Sequence, residues 1–109
     1  MKAINYFEKY RKLTNQCLND IKKIFKENNT DRVELYHDCD EENVSEPLVL
    51  PFYNNDADIY NDEIQSIYVD EYGTIRLKGD CGDYDLVNDS PRENYIFVYE
   101  ALCEIFNID

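Results

Sequence analysis

Hydrophobic and polar positions divide the chain into two helical stretches enclosing a run of short alternating segments. Over residues 3–26, Tyr6, Tyr10, Leu13, Cys17, Ile21 and Ile24 recur every three or four positions, and Phe7, Leu18 and Phe25 widen the stripe. Glu8, Lys9, Arg11, Lys12, Asp20, Lys22, Lys23, Lys26 and Glu27 fill the opposite side, and Asn28-Asn29-Thr30-Asp31 ends the helix. Val33 and Leu35 then alternate with Glu34 and Tyr36, and Leu48, Leu50 and Phe52 with Val49, Pro51 and Tyr53, the period of half-buried strands. Pro51 has no N–H to give to a ladder, so the second segment belongs at a sheet edge or a strand end.

The best-defined strand pair is a hairpin. Ile67-Tyr68-Val69-Asp70 runs through Glu71-Tyr72-Gly73 into Thr74-Ile75-Arg76-Leu77-Lys78. Gly73 suits the left-handed position that closes a type I turn with a bulge. That register pairs Val69 with Ile75 and Ile67 with Leu77 on one face, and Tyr68 with Arg76 on the other. Residues 79–83 make a further turn, and 84–87 a last short strand. Ser90-Pro91-Arg92-Glu93 has the form of a capping box with proline at the first helical position, and predicts a helix starting there. From Tyr95 to Phe106 that helix is apolar nearly all round, with Glu100 and Glu104 its polar positions. Phe97 falls on the stripe between Glu93, Glu100 and Glu104. Such a helix is covered on more than one side, by the first helix and sheet or by a second copy of the chain. The expected fold is α+β: an N-terminal helix, an antiparallel meander of about four strands and a C-terminal helix, both helices on one sheet face. Its 109 residues make a single domain, 1–109, with no repeat, linker or low-complexity segment.

Charge changes the picture. The 24 acidic and 11 basic residues give a formal −13. Residues 1–27 hold seven basic and three acidic side chains, a sum of +4, and residues 28–109 hold four and 21, a sum of −17. A mildly basic helix thus precedes a strongly acidic remainder, which argues against direct binding to DNA, RNA or an anionic membrane. The acids gather in expected turns, at 38–46, 56–63, 70–71 and 80–89. One reading is a set of solvated loops that confer solubility. The other is a docking surface whose spaced carboxylates imitate nucleic-acid phosphates and steer a basic partner. The ten tyrosines also admit two readings. Tyr36, Tyr53 and Tyr68, pointing outward near Arg76, either cover an exposed sheet or form an aromatic contact patch.

Chemistry finds less support. Asn54, Asp56, Asp58 and Asp62 resemble a calcium loop in composition, but the sixth position is Ile59 instead of glycine and the twelfth Gln65 instead of glutamate. His37, Cys39, nearby carboxylates and Cys81 lack the paired spacing of a zinc site. His37 beside Cys39 offers the one base–nucleophile pair, but a surface histidine among acids is the commoner explanation. Gly73, Gly79 and Gly82 all fall in turns, leaving no phosphate-binding loop. The widely spaced Cys17, Cys39, Cys81 and Cys103, with no secretory signal or membrane span, fit reduced thiols and a cytoplasmic protein.

In size, charge and compact build the chain resembles the small acidic inhibitors of phages and mobile elements, nucleic-acid mimics among them, and the immunity proteins that neutralise basic nuclease toxins. That resemblance implies a non-enzymatic binding protein without cofactor or metal, and assigns no residues. The acidic turns supply the expected contact residues: Asp56, Asp58, Asp62, Glu63, Asp70, Glu71, Asp80, Asp83 and Asp85, with Tyr68 and Tyr72 as anchors on a basic protein partner. The alternatives are a homo-oligomeric domain that dimerises through its last helix, and a small hydrolase or metal-binding protein.

Overall fold

The computed structural model describes residues 6–35, 48–53 and 58–108. Helix α1 (Tyr6–Glu27) is followed by strands β1 (Arg32–Glu34), β2 (Leu48–Tyr53), β3 (Ile59–Val69), β4 (Ile75–Gly79) and β5 (Asp83–Asp85), then helix α2 (Glu93–Ile105). The α+β expectation holds, with five strands in one antiparallel sheet. Asn29 ends α1 in the left-handed conformation (φ 59°), with Thr30 N–H on Phe25 O and Asn29 N–H on Lys26 O. This Schellman arrangement satisfies the last helical carbonyls. Cys17, Ile21, Ile24 and Phe25 are buried as the periodicity requires, whereas the side chains of Tyr6, Phe7, Tyr10 and Leu13 lie outside the described residues.

The sheet is not a simple meander. β3 is eleven residues long and pairs on one side with β4. On its other side it pairs with β1 through its last residues and with β2 through its first. Leu35 N–H bonds Gln65 O, and the next rung joins Leu48 to Ile64. The ladder therefore advances one residue along β3 while the chain advances thirteen. β1 and β2 are two halves of one edge, and residues 36–47 are inserted between adjacent rungs.

The register of β3 against β4 shifts between Ile64 and Ser66. This bulge changes which parity faces the core: Ile64 and Asp62 point inward before it, Ile67 after it. The sheet also curls strongly. Tyr84 of β5 stacks on Phe52 of β2, with ring centroids 3.8 Å apart and planes within 7°, although β3 and β4 stand between them in strand order. Asp89 closes the curl, its carbonyl accepting from Tyr53 N–H and its N–H donating to Asp85 O.

Pro51 sits on an edge strand, as its missing donor requires, and its carbonyl accepts from Asn94 Nδ2 at 2.8 Å. Ser90 is not the cap of α2. Its hydroxyl donates to Leu86 O at 2.6 Å, the N-cap position falls on Arg92 without a side-chain bond, and the helix begins at Glu93. Asn94 and Tyr95 N–H instead reach Pro91 and Arg92 carbonyls, a tight turn that leads into the helix. Tyr95, Ile96, Val98, Tyr99, Leu102 and Cys103 are buried against α1 and the sheet, and Phe97 is packed at the core margin. The near-uniform apolarity of α2 is thus largely met inside the chain, with Ile105 left exposed. No described helix is long and apolar enough to cross a membrane.

Candidate interaction surface

The structure sorts the expected contact residues into distinct roles. Asp62 is no surface residue: it is 3 % exposed, inside β3, where a turn had been expected. The bulge two residues on explains this, since it puts Asp62 in phase with inward-facing Ile64. Asp62 Oδ2 accepts from Tyr84 Oη at 2.5 Å and from Cys81 N–H at 3.0 Å. Tyr60 and Tyr84 hydroxyls are 2.9 Å apart, extending the network to the surface. Gly79 is required here, because a Cβ on it would overlap the Asp62 carboxylate, with Cγ 2.8 Å away. Burial, then the Asp62 hydrogen bond, pushes the Tyr84 phenol well above its ordinary range. The exposed Cys81 thiol is raised too, chiefly by the Asp62 charge.

Asp83 and Tyr68 are engaged with each other on the outer face. Tyr68 Oη meets both Asp83 oxygens (2.9 and 2.7 Å), and Arg76 Nε approaches Oδ1 at 3.3 Å. The Arg32 guanidinium lies over the Tyr68 ring, 4.8 Å from its centroid. Tyr68 faces outward beside Arg76 as the pairing predicts, but its hydroxyl is committed inside the molecule. Asp85 turns back on the chain: Oδ1 accepts from Val87 and Asn88 N–H, and Oδ2 from Asn88 Nδ2. Asp80 accepts a hydrogen bond from Gln65. Glu63 is half-buried across from Val49. Asp58 is exposed, while Asp56, Tyr36, His37 and Cys39 lie outside the described residues.

What remains as a presented group is the tip of the β3–β4 hairpin. Gly73 has φ 79°, Gly73 N–H bonds Asp70 O, and Asp70 N–H bonds Thr74 O, the expected turn with its bulge. Asp70 Oδ1 accepts from Tyr72 and Thr74 N–H, both at 2.9 Å, which fixes the loop. Glu71 is exposed and Tyr72 is 83 % exposed, so a large aromatic side chain stands beside two carboxylates on a held turn. A second exposed group lies across β2 and β3, where the sequence pointed to Tyr53 as outward but not to Val49 or Ile59 beside it. Val49, Tyr53 and Ile59 point outward, with Tyr53 and Ile59 on one rung. The signal was present at β2, whose outward positions Val49 and Tyr53 are both apolar.

The calcium-loop reading fails on backbone grounds, because residues 59–65 are strand. Among the described residues no three His, Cys, Asp or Glu side chains gather as a metal site. Cys17 and Cys103 are buried and Cys81 is exposed, and all three are free thiols. No family model, no curated protein and no solved structure matches this chain.

Proposed function

We propose that this chain is a non-enzymatic binding protein that docks on a basic surface of a partner protein, in the manner of an inhibitor or immunity protein. The observation that carries the reading is the β3–β4 tip. Tyr72 is nearly fully exposed on a turn whose backbone is held by the Asp70 carboxylate, with Glu71 beside it. An aromatic with two side-chain torsions on a fixed backbone has little entropy to lose on binding and can fill a pocket in the partner. The surrounding negative field, −13 for the whole chain, accelerates encounter with a cationic surface. Asp58, Glu63 and Asp80 extend the acidic rim, whereas Asp62, Asp83 and Asp85 act inside the fold.

A photo-reactive benzoylphenylalanine at position 72 tests this in a lysate. The expected result is a cross-link to one basic protein, weakened as NaCl rises from about 50 to about 500 mM. In an affinity measurement with that protein, Tyr72→Ala and Glu71→Lys lower affinity by about tenfold or more. Binding that ignores both salt and these substitutions overturns the proposal.

A further inference from the structure

A chain of phenol hydroxyls leads from the surface of the sheet to a buried carboxylate. Asp62 is 3 % exposed, and its Oδ2 receives the Tyr84 hydroxyl at 2.5 Å. That bond uses the single phenol proton of Tyr84, so in the 2.9 Å contact between the Tyr84 and Tyr60 hydroxyls it is Tyr60 that donates. The protons therefore point one way, from Tyr60 to Tyr84 to Asp62. Tyr60 is 36 % exposed, while Tyr84 is buried with its ring stacked on Phe52, which holds the middle oxygen in place. The ion pairs among the described residues are Lys23–Glu27, Arg32–Glu34 and Arg76–Asp83, so none of their cations occupies the Asp62 carboxylate. The relay joins a solvent-facing phenol to a positioned base.

Two other tyrosines show what the relay adds. Tyr68 also donates to a carboxylate, that of Asp83, but Arg76 Nε lies 3.3 Å from Asp83 Oδ1 and the Arg32 guanidinium stands 4.8 Å from the Tyr68 ring centroid. These cations weaken Asp83 as a base and oppose positive charge on the ring. Tyr72 is 83 % exposed, and the Asp70 carboxylate near it takes backbone N–H groups.

We infer that Tyr60 is a redox-active residue, which gives an electron to a one-electron oxidant at the surface while its proton enters the relay. The Tyr60 O–H bond breaks as its proton goes to Tyr84, and the Tyr84 proton goes to Asp62. The products are a Tyr60 phenoxyl radical, a Tyr84 phenol, a neutral Asp62 carboxylic acid and the reduced oxidant. A phenol without a fixed base passes through a radical cation or loses its proton to solvent, and a base already in hydrogen-bond contact avoids both. The inference does not depend on protein docking, which uses Tyr72.

The test uses photogenerated tris(bipyridine)ruthenium(III) as the oxidant and 2-methyl-2-nitrosopropane as the radical trap, with adducts located by peptide mass mapping. A Cys39→Ser/Cys81→Ser background leaves the buried thiols and removes the other two as competing reductants. Expected is more adduct at Tyr60 than at Tyr72, although Tyr72 is the more exposed. Because its base is internal, the Tyr60 yield should not change as the phosphate buffer is raised, whereas the Tyr72 yield should rise. Asp62→Asn, and separately Tyr84→Phe, which keeps a ring on Phe52, should lower the Tyr60 yield severalfold, make it depend on phosphate and leave Tyr72 as before, with an unchanged far-UV spectrum as the control. Less adduct at Tyr60 than at Tyr72 or Tyr68, a Tyr60 yield that rises with phosphate in the parent background, or one that both substitutions leave intact overturns the assignment.

Discussion

Removing the Asp62 carboxylate should be among the most damaging single changes to this fold, and the network around it sets the size. Asp62 Oδ2 receives the Tyr84 hydroxyl at 2.5 Å, a charge-assisted bond at a site 3 % exposed. Such bonds contribute about 1.5–3 kcal/mol. The Cys81 N–H it also receives belongs to an exposed residue, so water replaces the carboxylate there and little is added. Tyr84 keeps Tyr60 as a partner, which limits the loss. Asp62→Ala should therefore cost about 2–3 kcal/mol, a large share of a typical 5–15 kcal/mol total. Asp62→Asn keeps an acceptor but loses charge assistance, and should cost about 1 kcal/mol. Tyr84→Phe leaves a buried carboxylate short of a donor and should cost about 2 kcal/mol. Urea unfolding followed by far-UV circular dichroism measures these values, with an unchanged slope as the control. A double-mutant cycle of Asp62→Asn with Tyr84→Phe should give a coupling of about 1 kcal/mol. Gly79 supplies an independent check. Gly79→Ala should cost about 1–3 kcal/mol in the parent protein, because its Cβ meets the Asp62 carboxylate, and clearly less in the Asp62→Ala background, where the Glu63 carbonyl at 3.2 Å is the close neighbour that remains. If Gly79→Ala costs the same in both backgrounds, or Asp62→Ala costs under about 0.5 kcal/mol, the network does not organise this end of the sheet.

Two further outcomes follow from the same structure. Burial, and then the Asp20 charge, pushes the Cys17 thiol from 9.0 to about 12, so the unfolded chain ionises first as pH rises. This thiol's contribution is fully present below pH 9.0 and is lost toward about 12, by as much as about 4 kcal/mol; Cys17→Ala should flatten that fall, measured as urea midpoint against pH. Of Cys17, Cys81 and Cys103, Cys81 alone should be alkylated by iodoacetamide in the native protein, and faster in Asp62→Asn, which removes the charge that raises its pKa; an unchanged rate would refute that cause.

The helices, the β3–β4 hairpin and the edge position of Pro51 were legible because each has a local cause. A 3.6-residue stripe, a glycine at positive φ and a missing N–H act within a few residues of themselves. The first half of β3 was not legible. Before the bulge residues 59–61 are all exposed and the first buried position is Asp62, so no apolar alternation marks it, and the bulge near Gln65 changes the phase before Ile67 and Val69 restore it. An 11-residue strand thus presented itself as an acidic turn followed by a short strand. The α2 start misled for a different reason. Ser90 carries the right side chain for a cap, but its hydroxyl donates to the Leu86 carbonyl, and the helix starts two residues later than a Ser90 cap would place it. The joining of β1 to β2 across residues 36–47 leaves no trace in local pattern at all, since it is defined only by what each half pairs with on β3.

The acidic surplus is also a less direct guide to surface than its size suggests. Asp70, Asp85 and Asp89 spend a carboxylate oxygen on backbone N–H groups, and Asp62 on a buried phenol and a turn N–H. For the backbone groups the oxygen replaces a partner that tight turns cannot supply from a ladder, as after β5, where Val87 and Asn88 N–H both go to Asp85 Oδ1. A small curled sheet with many turns therefore has a structural use for aspartate that grows with the number of turns, independent of any partner. The charge that remains for recognition is concentrated where a turn is already satisfied by one acid and exposes the next. At 70–72, Asp70 holds the backbone, which frees Glu71 and Tyr72 to face solvent. A charge-reversal series should accordingly separate the two uses: substitutions at Asp70 and Asp85 lower stability, while Glu71→Lys leaves stability within about 0.5 kcal/mol and changes binding alone.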